Sequence, residues 1–161
     1  MKQYKQGIFM MFSMFTIPFL SFSQQKNTAD DELLNAYYGI KNALVGSDVS
    51  GAATGAKNFL LSLKKFDAKT IPSKDQPAFS KMKADAETIV ASRELAGQRA
   101  AFQSLSENMI TRIKATGSSN TAFIAYCPMK KASWISAEAG IKNPYYGSSM
   151  LTCGKVTDTI K

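Results

Sequence analysis

Two short sulfur-containing segments near the end of the chain hold the residues best suited to chemistry. Cys127-Pro128-Met129 is one, and Met150 with Cys153 three residues later is the other; the chain has no further cysteine. Thiolates and thioethers are soft ligands of the kind that a monovalent copper or silver ion prefers. The types and spacing of Cys127, Met129, Met150 and Cys153 therefore predict a copper(I) or silver(I) site, provided that the fold brings the two segments together.

The same two cysteines could instead form a disulfide. Cys127 and Cys153 are 26 residues apart, and a disulfide closing such a loop would stabilise the fold by about 3–4 kcal/mol. Cysteines in oxidising compartments usually pair. Met129 and Met150, taken singly, could also be gap-filling core residues. The sequence leaves these alternatives open.

The composition argues against an enzyme. Histidine is absent, which removes the usual general base, the commonest zinc ligand and every Cys–His or Ser–His nucleophile arrangement. Two cysteines are too few for an iron–sulfur cluster. No phosphate-binding loop or arginine-rich block is present, so we expect neither a catalytic site nor a nucleic-acid partner.

The first residues resemble a secretory signal peptide. Lys2 and Lys5 precede an apolar run over residues 8–22, and Ser21-Phe22-Ser23 offers the small residues that a signal peptidase reads. Cleavage after Ser23 would leave one domain over residues 24–161 in the periplasm. The alternative is a retained anchor, but a spanning helix needs about 20 apolar residues and this run is shorter and contains a proline. We therefore expect no membrane span after cleavage.

Apolar residues at three- and four-residue spacing predict four helices. The first begins near Thr28 and ends at residues 46–48, and the second follows a cap at Asp48. The third is capped by Ser73 or Asp75 with Pro77 in its first turn, and the fourth begins at Ser92 and ends at residues 117–120. Met82 and Met109 are predicted in the core. Because the loops are short, neighbouring helices should be antiparallel, which predicts a mainly α, up-down four-helix bundle.

Residues 121–161 depart from the helical pattern and are predicted to form an irregular, partly β cap on this bundle. Residues 121–126 and 133–135 have strand-like composition, residues 143–147 form an aromatic turn, and residues 156–160 are a last strand or short helix. Trp134, Tyr145 and Tyr146 are expected to bury the cap against the bundle, although they could also shield a metal.

Residues 126–129, 132–136, 141–147 and 150–156 together resemble an uncharacterised bacterial family of small periplasmic domains, common in Bacteroidetes. Domains of that family are also fused to the periplasmic adaptor subunits of copper/silver efflux pumps (CusB-like). The chain departs from the family pattern in lacking a histidine over residues 74–82 and in a shorter connection to Trp134.

The resemblance implies an envelope role beside heavy-metal efflux, with such an adaptor as the partner. Cys127, Met129, Met150 and Cys153 occupy matching positions of its motif. The sequence thus predicts a non-enzymatic periplasmic copper(I) or silver(I) binding module that is accessory to metal efflux or homeostasis. The alternative is a disulfide-stapled interaction domain that docks onto an envelope partner through the aromatic turn.

Overall fold

The structure is a computed structural model that describes residues 28–67, 69 and 71–161. Four helices come first, followed by a small antiparallel sheet of three strands, so the protein is mainly helical. The helices are α1 (Thr28–Val45), α2 (Val49–Leu63), α3 (Gln76–Ala91) and α4 (Leu95–Thr116). The predicted signal peptide and its cleavage site after Ser23 lie outside the described residues. Within those residues, no helix is both long and apolar enough to cross a membrane.

Local sequence signals account for most of the helix ends. The Asp48 carboxylate caps α2 by accepting a hydrogen bond from the Gly51 N–H at 2.9 Å, as predicted. Pro77 lies in the first turn of α3, also as predicted, although the side chain of Asp75 makes no capping hydrogen bond. The prediction that Ser92 begins α4 is wrong, because its extended backbone (φ −71°, ψ 133°) ends α3 instead.

The helices pack in sequence order around a continuous apolar core. α1 packs against α2, α2 against α3, α3 against α4, and α4 also contacts α1. Gly55 allows α1 and α2 to approach closely, since a Cβ atom there would stand 2.8 Å from the Ile40 backbone nitrogen. Met82 and Met109 are fully buried, as predicted.

The strands β1 (Ala122–Cys127), β2 (Ala132–Ser136) and β3 (Lys155–Ile160) form the sheet of the cap, residues 121–161. The strand order is β2-β1-β3 and both pairings are antiparallel. The last segment, predicted as a strand or a short helix, is therefore a strand. A 3-10 helix over Gly147–Met150 precedes it.

The cap is fastened to the helices mainly through β2. This strand packs on α4 and α1, and the hydroxyl oxygen of Tyr37 in α1 accepts a hydrogen bond from the Ile135 N–H at 3.1 Å. The same hydroxyl is 2.8 Å from the Ser106 hydroxyl in α4. Trp134 and Tyr145 are buried, as predicted, and the Tyr145 ring packs near Phe102 of α4, whereas Tyr146 is only half-buried. One tyrosine thus joins α1, α4 and β2, which fixes the cap relative to the bundle.

Candidate metal centre

The antiparallel pairing of β1 with β3 brings the two sulfur segments together. Cys127 is the last residue of β1, and its neighbour Tyr126 pairs with Lys155 at the start of β3. Cys153 lies two residues before Lys155 and so reaches the end of β1 from the other side. The two sulfur atoms are 2.9 Å apart, and no disulfide bond joins them in this structure. The condition on which the sequence prediction depends, that the fold brings the two segments together, is met for the two cysteines.

Gly154 makes the approach of Cys153 to β1 possible. Its φ of 147° is a backbone conformation that side-chain-bearing residues rarely adopt. A Cβ atom at this position would stand 2.8 Å from the Trp134 ring and 3.1 Å from the Tyr126 carbonyl oxygen. A residue with a side chain would therefore push Cys153 away from Cys127 or displace the buried indole.

Both methionines of the predicted site lie at the surface beside the cysteines. Met129 is 66% exposed and Met150 is 36% exposed. The backbone N–H of Met129 is directed at both sulfur atoms, and the carbonyl of Met150 accepts a hydrogen bond from the Cys153 N–H at 3.1 Å. The two thioether side chains thus belong to the turns that hold the thiols, and neither is a core residue.

The environment makes the two thiols unequal. Burial alone would raise the pKa of Cys127, but hydrogen bonds from the Cys153 thiol, the Lys130 and Met129 amides and the Asn143 side chain outweigh burial and lower its pKa below the ordinary thiol value. The pKa of Cys153 is raised, first because its thiol donates to Cys127 and then by burial and by the nearby Cys127 charge. Cys127 is therefore the first of the pair to become a thiolate.

Lys130 acts on this thiolate through its backbone. The contact that lowers the pKa of Cys127 comes from the Lys130 amide N–H, and its ammonium group is not among the causes. A hydrogen bond of the backbone does not depend on the side chain, so a neutral residue at position 130 would preserve it.

Asn143 is the buried centre of the turn that supports Cys153. Its side-chain amide donates to the Cys153 carbonyl at 2.7 Å, and its backbone N–H donates to the Leu151 carbonyl at 2.8 Å. Its side-chain oxygen accepts from the Tyr145 N–H at 2.8 Å and the Tyr146 N–H at 3.3 Å. Asn143 is fully buried. One residue therefore fixes both the aromatic turn and the backbone of Cys153.

Arg99 anchors this turn to the helices. Its Nε donates to the Pro144 carbonyl at 3.0 Å, while its Nη2 donates to the Leu44 carbonyl at 3.1 Å and the Ser47 hydroxyl at 3.1 Å. The sequence alone assigned neither Arg99 nor Asn143 a role in the site. Their partners are 45 and 10 residues away in sequence, so no local pattern could have assigned these roles.

The donor set suits a soft monovalent ion better than a hard or zinc-like one. No group of three or more cysteine and carboxylate side chains that could hold a metal is present in residues 28–67, 69 and 71–161. An ion here would rest on Cys127 and Cys153, with Met129 and Met150 as neutral sulfur donors. Two thiolates on one tetrahedral ion stand roughly 3.8 Å apart. Binding therefore requires the sulfurs to separate, and the half-buried Cys153 side chain has more room to rotate than the fully buried side chain of Cys127.

The part of the chain that matches a known protein family contains the helices but not the four sulfur residues of the candidate site. Residues 33–121 match the model of a family described as "Protein of unknown function (DUF3347)". The match begins within α1 and ends just before β1, so Cys127, Met129, Met150 and Cys153 all lie beyond it. No curated protein and no solved structure matches the chain.

Proposed function

The chain belongs to the DUF3347 family of proteins of unknown function, and we propose that this member binds copper(I) or silver(I) through its cap. The ligands are the thiolates of Cys127 and Cys153, assisted by the thioethers of Met129 and Met150. The protein acts as a non-enzymatic binding module. The observation that carries the proposal is the contact of the two thiols, 2.9 Å apart, in turns that also carry two exposed methionines.

Exposed methionine side chains at this place call for an explanation. The large hydrophobic residues exposed in the described chain are Leu61, Met129, Met150, Leu151 and Val156. All of them except Leu61 belong to the cap. Burying a side chain of this kind is ordinarily favourable by about 1.5–3 kcal/mol, so its exposure has a cost in stability. A soft metal ion gives Met129 and Met150 a reason to stay at the surface, because a thioether binds it without losing a proton.

The unequal thiols favour stepwise loading of the site. Cys127 ionises first and offers a thiolate, while Cys153 retains its proton until an ion displaces it. A monovalent ion that binds both thiolates releases the protons of both thiols, and affinity therefore increases with pH until both are ionised. Because Cys127 is buried and Cys153 is half-buried, the ion reaches the site from the side of Cys153.

The cellular setting and fold arrangement are also proposals. The signal-peptide pattern supports a periplasmic location, where copper(I) and silver(I) are handled before efflux. The family resemblance supports an adaptor of a heavy-metal efflux pump (CusB-like) as the partner. Packing of α1 with α2, α2 with α3, α3 with α4, and α4 with α1 supports an up-down arrangement of the four helices.

A copper(I) titration under anaerobic conditions tests the binding module. Reduced protein competes with a chromophoric copper(I) chelator, and we expect one ion per chain. Cys127→Ser/Cys153→Ser should abolish high-affinity binding, and Met129→Leu/Met150→Leu should weaken it by roughly tenfold, or about 1.4 kcal/mol. Met82→Leu/Met109→Leu, which changes two buried thioethers, is the matched control and should bind as the wild type does. Unchanged stoichiometry in the double cysteine variant would reject the proposal.

The sulfur contact also favours a second candidate, a disulfide-stapled interaction domain. The loss of two protons and two electrons from Cys127 and Cys153 to an external disulfide would join the two sulfurs, which already touch. The bond would hold β1 and β3 together at their junction. The expected docking through the aromatic turn does not fit the structure, because residues 143–147 are buried except for the half-buried Tyr146. A partner would have to contact the exposed residues of the cap instead.

The two candidates differ in what reduction does to stability. A staple predicts that reduced protein loses about 3–4 kcal/mol of unfolding free energy relative to the oxidised form, and that Cys127→Ser/Cys153→Ser matches the reduced value. The binding module predicts that reduced protein keeps the cap folded and gains stability when copper(I) is added. Urea denaturation of both redox forms separates these results.

A further inference from the structure

An apolar groove lies on the helices, away from the sulfur residues. It has a volume of about 430 Å³ and lies between the end of α2 and the first turns of α3. Its apolar walls come from Leu60, Leu63, Ile71 and Phe79. This volume falls in the range of small-molecule sites, which are mostly apolar with a few polar groups. None of its lining residues belongs to the cap.

The segment that forms this groove has a positive net charge. Residues 57–87, which include every residue that lines the groove, contain seven lysines and four carboxylates, a net charge of +3. Residues 28–161 as a whole contain 17 basic and 12 acidic residues, a net charge of +5. More than half of the net positive charge of that stretch therefore lies in the segment that forms the groove. This balance favours an anionic ligand over a cationic one.

Two lysines bring this charge to the edge of the groove. Lys64 and Lys83 line it, from α2 and α3 respectively. Glu87 also lines the groove and is 3.7 Å from Lys83, with both side chains exposed, so the lining charges sum to +1. Gln76 and Ser80 supply an amide and a hydroxyl at the positive end of the α3 dipole. The walls thus suit a hydrocarbon chain, and the rim suits a single negative head group.

We propose that the groove between α2 and α3 binds an anionic amphiphile, a single acyl chain with a carboxylate or similar acidic head. The chain would lie against Leu60, Leu63 and Phe79, with the head between Lys64 and Lys83. This site is independent of the sulfur site. The variant Cys127→Ser/Cys153→Ser should therefore bind the amphiphile as the wild type does, whatever the fate of the metal proposal.

Fluorescence titration with dansylundecanoic acid tests the inference on the folded protein. We expect saturable binding of one probe per chain with a blue-shifted emission, and competition by dodecanoate but not by dodecylammonium, which has the same chain and the opposite charge. Ser80→Trp, a change at an exposed wall position, should fill the groove and weaken binding more than tenfold. Lys64→Glu should weaken binding roughly three- to fivefold, whereas Lys155→Glu on β3 should have no effect.

Four results would overturn the inference. The first is the absence of saturable probe binding, and the second is equal competition by dodecylammonium. The third is binding only to phosphatidylglycerol vesicles with no effect of Ser80→Trp, which would assign the basic region to a membrane surface. If sedimentation instead shows a dimer that Ser80→Trp converts to monomer, the groove is the interface with a second copy and the amphiphile inference is wrong. Circular dichroism melting checks that each variant is folded.

Discussion

Replacing Gly154 with alanine is expected to destabilise the cap and to separate the two thiols. Gly154 lies between Cys153 and β3, and its φ of 147° is strained for any residue with a side chain. The added methyl group would stand 2.8 Å from the fully buried Trp134 ring and 3.1 Å from the Tyr126 backbone oxygen. Neither neighbour is a flexible side-chain end that could move aside.

The magnitude follows from two costs. The strained backbone costs about 1–3 kcal/mol, and overpacking against a buried ring costs about 1–3 kcal/mol. If the backbone around residue 154 relaxes and moves Cys153 away from Cys127, both costs become smaller, but the contact between the two sulfurs is lost. We therefore expect Gly154→Ala to lose about 2–4 kcal/mol of unfolding free energy. If the variant relieves this strain by moving Cys153 away from Cys127, copper(I) should bind more weakly because the two thiols are no longer close together.

Urea denaturation followed by circular dichroism, together with copper(I) competition, measures both effects. Gly140→Ala is the matched control, because a Cβ atom at Gly140 meets nothing within 4 Å. Alanine there should change stability by less than about 1 kcal/mol. If Gly154→Ala proves as stable as Gly140→Ala and binds copper(I) as tightly as the wild type, the reasoning about Gly154 is refuted.

Three further predictions concern the junction with the helices and the thiols. Tyr37→Phe should lose about 1–3 kcal/mol in urea denaturation, because it leaves the buried Ile135 N–H without its partner. Arg112→Ala should lose about 3–5 kcal/mol, because Asp30 is 2% exposed and accepts from Arg112 at 2.7 Å and 3.0 Å. Thiolate absorbance of reduced protein against pH should show one thiol ionising below the ordinary thiol pKa and the other above it.

Each of these has a control and a contradicting result. Tyr146→Phe, at a half-buried position in the cap, is the control for Tyr37→Phe and should leave the free energy of unfolding nearly unchanged. An equal loss of stability in both variants would contradict the role given to the Tyr37 hydroxyl. Lys65→Ala breaks an exposed pair with Glu32 and should cost at most about 1 kcal/mol. Cys153→Ser leaves only Cys127 to titrate, so two coincident ionisations in the wild type would contradict the assigned inequality.

Sequence patterns predicted the helices well because the helix signals are local. The periodicity of Leu33, Tyr37, Ile40 and Leu44 marks one buried face, and all four are fully buried. The boundary at Ser92 was missed because serine fits both a helix start and a helix end. From the sequence alone, the helix dipole is a sufficient reason for Asp30 and Asp31 in the first turn of α1. Their partners, Arg112 and Ser119, lie more than 80 residues away in sequence.

For the candidate site, the sequence was enough to propose the ligand residues. It did not predict the residues and contacts that hold them in place. Composition is enough to single out Cys127 and Cys153. Their meeting depends on the register of β3 against β1, on the conformation of Gly154 and on the hydrogen bonds of Asn143. Strand register and long-range hydrogen bonds are set by tertiary packing, so the inequality of the two thiols could be recognised only from the structure.

Intact mass after thiol alkylation, measured before and after anaerobic copper(I), tests the central claim most directly. The account predicts that both Cys127 and Cys153 are alkylated in reduced, metal-free protein. It further predicts that one bound copper ion protects both. Copper bound with both thiols still open to alkylation would contradict it, as would the absence of any copper adduct. A mature protein that is two hydrogens light and takes no copper would assign the pair to the disulfide staple.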